Sequence, residues 1–345
     1  MVSKPTVLIV GAGGSAPFGF PSGRGLVDMV LRDINQAEDS KGVPPDRIRR
    51  IRSVTMFEEM LRMQPEMLEK SKKFAEALRR SGSYSLDAFV ETRREFLGEC
   101  KLAIAATLIP LEQDRILFET AKTGPNETGD WYRYLSNRLH DNIGIGRKGR
   151  LTILTYNYDR SIEHYLHVTL CNALGLDELK SHTEMEGLEI VHLHGSLGAL
   201  PWQNNSGEVY SREYTSSCDF EAVKKAADQI KIIHENQDDT LEYLLALERL
   251  SQAERICFFG FGFHRTNVRR LTKNKWHHAS KRFGFRDIRG TSCGLTPAER
   301  NECEKLFGVL DERSQQELHR ENLIELCRYD DDCYKFLRNN LDIIS

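Results

Sequence analysis

Short, mostly apolar runs alternate with longer stretches in which apolar residues recur every three or four positions. Residues 6–10 read Thr-Val-Leu-Ile-Val and stop at glycines. A β-branched run of that length suits a strand buried on both faces of a parallel sheet. Comparable runs fall at 151–155, 188–193, 255–259 and 323–327. Helical spacing predicts helices over 25–34, 161–170, 220–234, 240–251, 268–281 and 334–341. Leu26, Val27, Val30, Leu31 and Ile34 share one face of the first. Residues 197–218, with Pro201, Asn204, Asn205 and Gly207, read as a loop.

Between the first two strands the texture changes. Over 40–149 charge is dense and apolar residues keep helical spacing: Met56, Met60, Leu61; Phe74, Leu78; Phe89, Phe96; Trp131, Tyr134, Leu135, Leu139. No strand is expected there. The expected architecture is an α/β, Rossmann-like open parallel sheet built from 1–39 plus 150–345, with a helical insertion at 40–149.

Composition changes little in this picture. With 345 residues, 40% hydrophobic and 29% charged, the chain is an ordinary globular one. Lys+Arg 48 against Asp+Glu 51 leaves a net charge of −3, which gives no global drive toward nucleic acid or an anionic membrane. No apolar run approaches the roughly 20 residues of a membrane span, and the apolar start is too short for a signal peptide. A cytoplasmic location is expected. None of the eight cysteines forms a C-x2-C pair, so neither a zinc site nor a disulfide framework is expected.

Chemistry concentrates where strands end. Val10 leads into Gly11-Ala12-Gly13-Gly14-Ser15, Thr155 into Asn157 and Asp159, Leu193 into His194-Gly195, and Phe259 into Gly260-Phe261-Gly262. In an open α/β sheet, ligands bind outside the carboxyl ends of the strands. Gly11-x-Gly13-x-x-Ala16 fits a dinucleotide pattern in which backbone N–H groups hold a diphosphate; a turn kept only for packing is the plain alternative. A dehydrogenase needs an acidic residue closing a second strand, whereas Asp33 falls within a helical pattern. Asn157 and Asp159 fit either a ligand site or an ordinary turn after a strand. His192 reads as packed or hydrogen-bonded, His277-His278 as part of a solvated basic helix, and His264 and Asn267 as residues that reach an adenosine or stay idle.

Residues 11–24, Gly11-Ala12-Gly13-x-Ser15-x-x-x-Gly19-Phe20-Pro21-x-x-Arg24, resemble the opening signature of the sirtuin (SIR2) family. Thr155-x-Asn157-x-Asp159 is similar to its second motif. His194-Gly195 matches its catalytic His-Gly, and Gly260-Phe261-Gly262 stands where the family carries Gly-Thr-Ser. The motifs keep family order from Val7 to Phe263. The departures are definite. The family's four-cysteine zinc module is missing, since 197–259 holds only Cys218 and Cys257, and Gly23 replaces the family phenylalanine. Gly290-Thr291-Ser292 is set aside because it follows no run that reads as a buried strand.

A sirtuin-like sheet with a helical insertion and no zinc module resembles the prokaryotic SIR2-like effectors of anti-phage defence. That resemblance implies an NAD+ hydrolase that takes NAD as substrate without a metal and depletes it in abortive infection. An enzyme that drains NAD would poison its host, so control by homo-oligomerisation or by a partner is expected, and the resemblance implies a separate HerA-type ATPase as such a partner. Gly11, Ala12, Gly13 and Ser15 are then expected at the diphosphate, Arg24 at the nicotinamide pocket, and Gly260 and Gly262 at the second glycine turn. Asn157 is expected to hold a ribose hydroxyl and a water, because an amide both donates and accepts. His194 is expected to act as base, and Asp159 to orient the ribose or favour the developing cation. A protein deacylase and a non-catalytic nucleotide sensor or scaffold are the competing readings.

Overall fold

A computed structural model describes residues 4–49, 53–118, 129–140, 150–185, 187–204, 209–232, 240–272, 287–308, 325–326, 332–340 and 343. Its sheet contains Thr6–Val10 (β1), Leu151–Thr155 (β2), Glu189–His192 (β3), Arg255–Phe259 (β4), Asp287–Gly290 (β5) and Glu325–Leu326 (β6). The spatial order is β3-β2-β1-β4-β5-β6, and every pairing is parallel. This is the doubly wound Rossmann order. The chain is therefore an α/β protein with a Rossmann-like sheet.

Alternation along β1 explains its uniform burial. Leu8 and Val10 face one apolar cluster, Val7 and Ile9 the other. On the first face they meet Phe57, Phe89, Ile104 and Trp131 from the 40–149 region. On the second they meet Tyr243, Leu247 and Leu250 of the helix Leu241–Gln252. The 40–149 region thus shares one continuous core with the sheet. Its described part is helical, with the longest segments at Pro65–Ser81 and Leu97–Leu108, and among the described residues it holds no strand.

Several boundaries move. The 25–34 helix extends over Gly23–Asp39, started by Ser22, whose Oγ accepts from the Gly25 N–H at 3.1 Å. Asp33 is buried within it, as the helical pattern requires. The 220–234 helix stops at Gln229 because Ile230 pairs with Gly195 across an antiparallel bridge. The 268–281 helix starts earlier, as Arg265–Leu271; His277 and His278 lie outside the described residues. Two helices not expected from the pattern, Glu178–Met185 and Pro297–Gly308, are present.

One expectation is corrected outright. Gly290-Thr291-Ser292 does follow a strand, since Gly290 closes β5. The pattern hid it because β5 reads Asp-Ile-Arg-Gly rather than as an apolar run. Its charges are met locally: Asp287 accepts from Arg255 Nε at 2.8 Å and from Arg289 Nε at 2.7 Å. Thr291 and Ser292 are buried, and Thr291 Oγ1 accepts from the Gly260 N–H at 2.9 Å. Thr291 therefore props the second glycine turn.

Among the described residues no disulfide forms, no three His, Cys, Asp or Glu stand together as a metal group, and no helix is long and apolar enough to cross a membrane.

Candidate functional site

The loops at the carboxyl edge are tied one step beyond the strands. Gly11 N donates to Phe259 O, Tyr156 N to Val10 O and Leu193 N to Thr155 O, each at 2.9 Å. The ends of β4, β1, β2 and β3 therefore enter the site in register. A cavity of ≈ 300 Å³ opens there.

The opening glycine loop is shaped by close backbone approach. A Cβ on Gly11 would sit 2.7 Å from the Gly260 carbonyl oxygen, and one on Gly13 2.8 Å from the same atom. Gly260 has φ +54, and a Cβ there would lie 2.1 Å from Gly14 N. Glycine is required on both sides of this contact. Gly13 N donates to Gly260 O at 2.9 Å and Gly14 N to Gly11 O at 2.8 Å. These N–H groups are thus committed within the protein. Trp131, fully buried in the helical region, donates from Nε1 to Gly14 O at 2.8 Å and stacks on Phe259.

Asn157 reaches back across this loop. Its Nδ2 donates to Gly11 O at 3.1 Å and to Ser15 Oγ at 2.7 Å. Its own N–H is held by Thr155 Oγ1 at 3.0 Å. Its Oδ1 is buried and has no hydrogen-bond partner. An unpaired buried acceptor costs about 1–3 kcal/mol, so this atom is one that a ligand or water would satisfy. Asp159 turns back onto the start of the helix Ser161–Leu174, accepting from Ser161 N at 3.2 Å and from the Ser161 hydroxyl. Burial raises its carboxyl above the usual range, against hydrogen bonds from Ser161 and Ser15 that lower it.

His194 is only 6% exposed, and its ring carries no hydrogen bond among the described residues. Tyr156 meets it edge-on at 4.9 Å and Tyr158 lies 6.1 Å away. Burial depresses its pKa below the ordinary 6.5; the Asp87 carboxylate opposes this, and Arg270 adds to it. The ring is therefore neutral and available as an acceptor. Gly195, at φ +68, makes the turn behind it, and a Cβ there would lie 2.1 Å from the Gln229 carbonyl oxygen. The Lys231 N–H fixes the His194 carbonyl at 2.7 Å.

His192 acts from behind. Its Nδ1 donates to the Asn157 carbonyl at 2.9 Å, and its Nε2 donates to Glu163 Oε1 at 2.8 Å. Burial, which lowers its pKa, is outweighed by the Glu163 carboxylate and the Asn157 carbonyl, so the pKa is raised above the ordinary 6.5. A second buried anchor holds the loop after His194. Arg160 pairs bidentately with Glu112 at 2.9 and 2.6 Å, both side chains fully buried. Arg160 also donates to the carbonyls of Ala199, Arg212 and Glu213.

Of the expected site residues, Gly11, Ala12, Asn157, Asp159, His194 and Gly262 line the cavity, as do His264 and Asn267. Gly13, Ser15 and Gly260 support it from behind. Arg24 is exposed and stands over the Tyr84 ring, 5.9 Å from its centre, outside the lining. The sequence reasoning missed Asp87, Glu91, Tyr156 and Tyr158, all of which line the cavity. The helix Leu86–Thr92 delivers the two carboxylates, capped by Ser85 Oγ accepting from Ala88 N at 3.1 Å. The Tyr158 hydroxyl donates to Asp87. The tyrosines flanking Asn157 were a readable signal; Asp87 and Glu91 carried none. No family model matches this chain, and no curated protein matches it.

Proposed function

We propose that the chain is an NAD+ hydrolase releasing nicotinamide and ADP-ribose. The reading rests on the resemblance of its strand-end motifs to SIR2-like effectors. The single observation that carries it is one shared cavity. Asn157, His194 and the opening glycine loop, distant in sequence, all line it at the carboxyl edge of a Rossmann-ordered sheet.

The chemistry suits the lining. Cleaving the bond between nicotinamide and ribose develops an oxocarbenium-like cation at C1′, as in glycoside hydrolysis. Nicotinamide leaves neutral, taking the bonding electron pair, so its departure needs no acid. Water adds to C1′ and its proton passes to neutral His194. The unpaired Oδ1 of Asn157 is an acceptor for the water or for a ribose hydroxyl. Asp159 and Asp87 supply negative charge toward the developing cation. At ≈ 300 Å³ the cavity is at the small end for a ligand site, sized for the nicotinamide riboside half of the dinucleotide.

Draining NAD is toxic, so we further propose that activity is gated by self-association or by an activating partner such as an ATPase. The test is nicotinamide release by purified protein, alone and with candidate partners. Release by wild type that is lost in Asn157→Ala supports the hydrolase. NAD+ left intact by wild type under every activating condition contradicts it.

A further inference from the structure

Three carboxylates line the cavity, from Asp87, Glu91 and Asp159, and none of its described lining residues is Lys or Arg. Asp87 and Glu91 stand four residues apart on Leu86–Thr92, which puts both on one face of that helix. Asp87 is fixed by the Tyr158 hydroxyl. A ligand is called for independently. Asn157, 7% exposed, lines the same cavity with a buried, unpartnered Oδ1. Among the described lining residues a diphosphate finds no Lys or Arg, Arg24 standing behind them over the Tyr84 ring, whereas a cationic ring finds complementary charge on one wall.

We propose that Asp87 and Glu91, supplied by the helical insertion, select the oxidised, positively charged nicotinamide ring over the reduced, neutral one. The proposal rests on the dinucleotide reading above and assigns the insertion a role in substrate choice. Asp87 and Glu91 are half-buried, and a carboxylate within a few ångströms of the ring at a protein surface favours the cation beyond what it does in bulk solvent. Asp87 and Glu91 act on ring charge, so they separate two ligands that share every other group.

The test compares NAD+ as substrate with NADH as competitive inhibitor, in wild type, Asp87→Asn and Glu91→Gln. Both replacements are near-isosteric, and the second does not touch the Tyr158 bond. The expected result is kcat/KM for NAD+ lower by about tenfold in each variant, with NADH inhibition changed by no more than about twofold. NAD+ and NADH constants that move together, or a ratio unchanged in both variants, overturn the proposal. A melting-temperature series with both ligands separates the two claims. Wild type that releases no nicotinamide, yet is stabilised more by NAD+ than by NADH in a way both variants lose, overturns the hydrolase and upholds the selection. Stabilisation by neither ligand, with no release, overturns both.

Discussion

The Asn157 side-chain amide lies 2.7 Å from the Ser15 hydroxyl, joining the loop after β2 to the loop after β1. The same Nδ2 caps the Gly11 carbonyl. Asn157 is thus both a strut of the glycine loop and, through its unpaired Oδ1, a group left over for a ligand.

Two consequences follow for substitution at this position. Asn157→Ala removes one hydrogen bond from Gly11 O, which keeps the Gly14 N–H, and one from Ser15 Oγ, which keeps Asp159. For two lost bonds, urea denaturation should show a loss of about 1–3 kcal/mol. Nicotinamide release should fall by about 100-fold or more, the scale of losing a polar group at a developing charge. Asn157→Asp should be the less stable of the two, because a carboxylate oxygen would face the Gly11 carbonyl.

The glycine contact makes a sharper structural prediction. Gly260→Ala drives a Cβ into the Gly14 N–H at a positive φ and should cost more than about 2 kcal/mol. Gly262→Ala is the control, since its Cβ would meet nothing within 4 Å. Its stability should stay within about 0.5 kcal/mol of wild type. Equal melting temperatures for the two variants would contradict this account of the loop.

Glu112→Gln leaves Arg160 buried without its counter-charge. Breaking a buried pair on one side costs about 3–5 kcal/mol, and chemical denaturation at neutral pH should show a loss of that order. A loss under about 1 kcal/mol would mean that the backbone carbonyls alone satisfy Arg160.

The two histidines should titrate in opposite senses. His192 has its folded pKa raised above 6.5, so its contribution to stability is complete below that pH and fades as pH rises through the folded value. His192→Gln should remove that alkaline decline. His194 has its folded pKa depressed, so its contribution is present above 6.5 and fades as pH falls through the folded value. The acid limb of kcat/KM for nicotinamide release should therefore lie below pH 6.5. A midpoint above that value would contradict a neutral, buried base.

How much of this was legible in the sequence varies with the physics. β1, β2 and β4 were readable because strands buried on both faces are mostly apolar, even with Thr6, Thr152, Thr155 and Arg255 among them. β5 was not, because Asp287 and Arg289 are satisfied by each other and by Arg255, contacts that no local pattern contains. Asn157, His194 and the glycines were visible as strand-end residues. Arg24 sat in the right motif yet stands over the ring of Tyr84, itself a lining residue, rather than lining the cavity. Asp87 and Glu91 were invisible because their place depends on how the insertion folds back over the sheet. Arg160 and Glu112 lie 48 positions apart, so no local pattern shows that they form a buried pair.

The most direct test of the central claim is a crystal structure of the His194→Ala variant, which should halt turnover, bound to NAD+. The account predicts the nicotinamide ribose inside the cavity, with the Asn157 amide in hydrogen-bond contact with it and the ring beside Asp87. A dinucleotide bound elsewhere, with the Asn157 side chain contacting only Gly11 and Ser15, would contradict it.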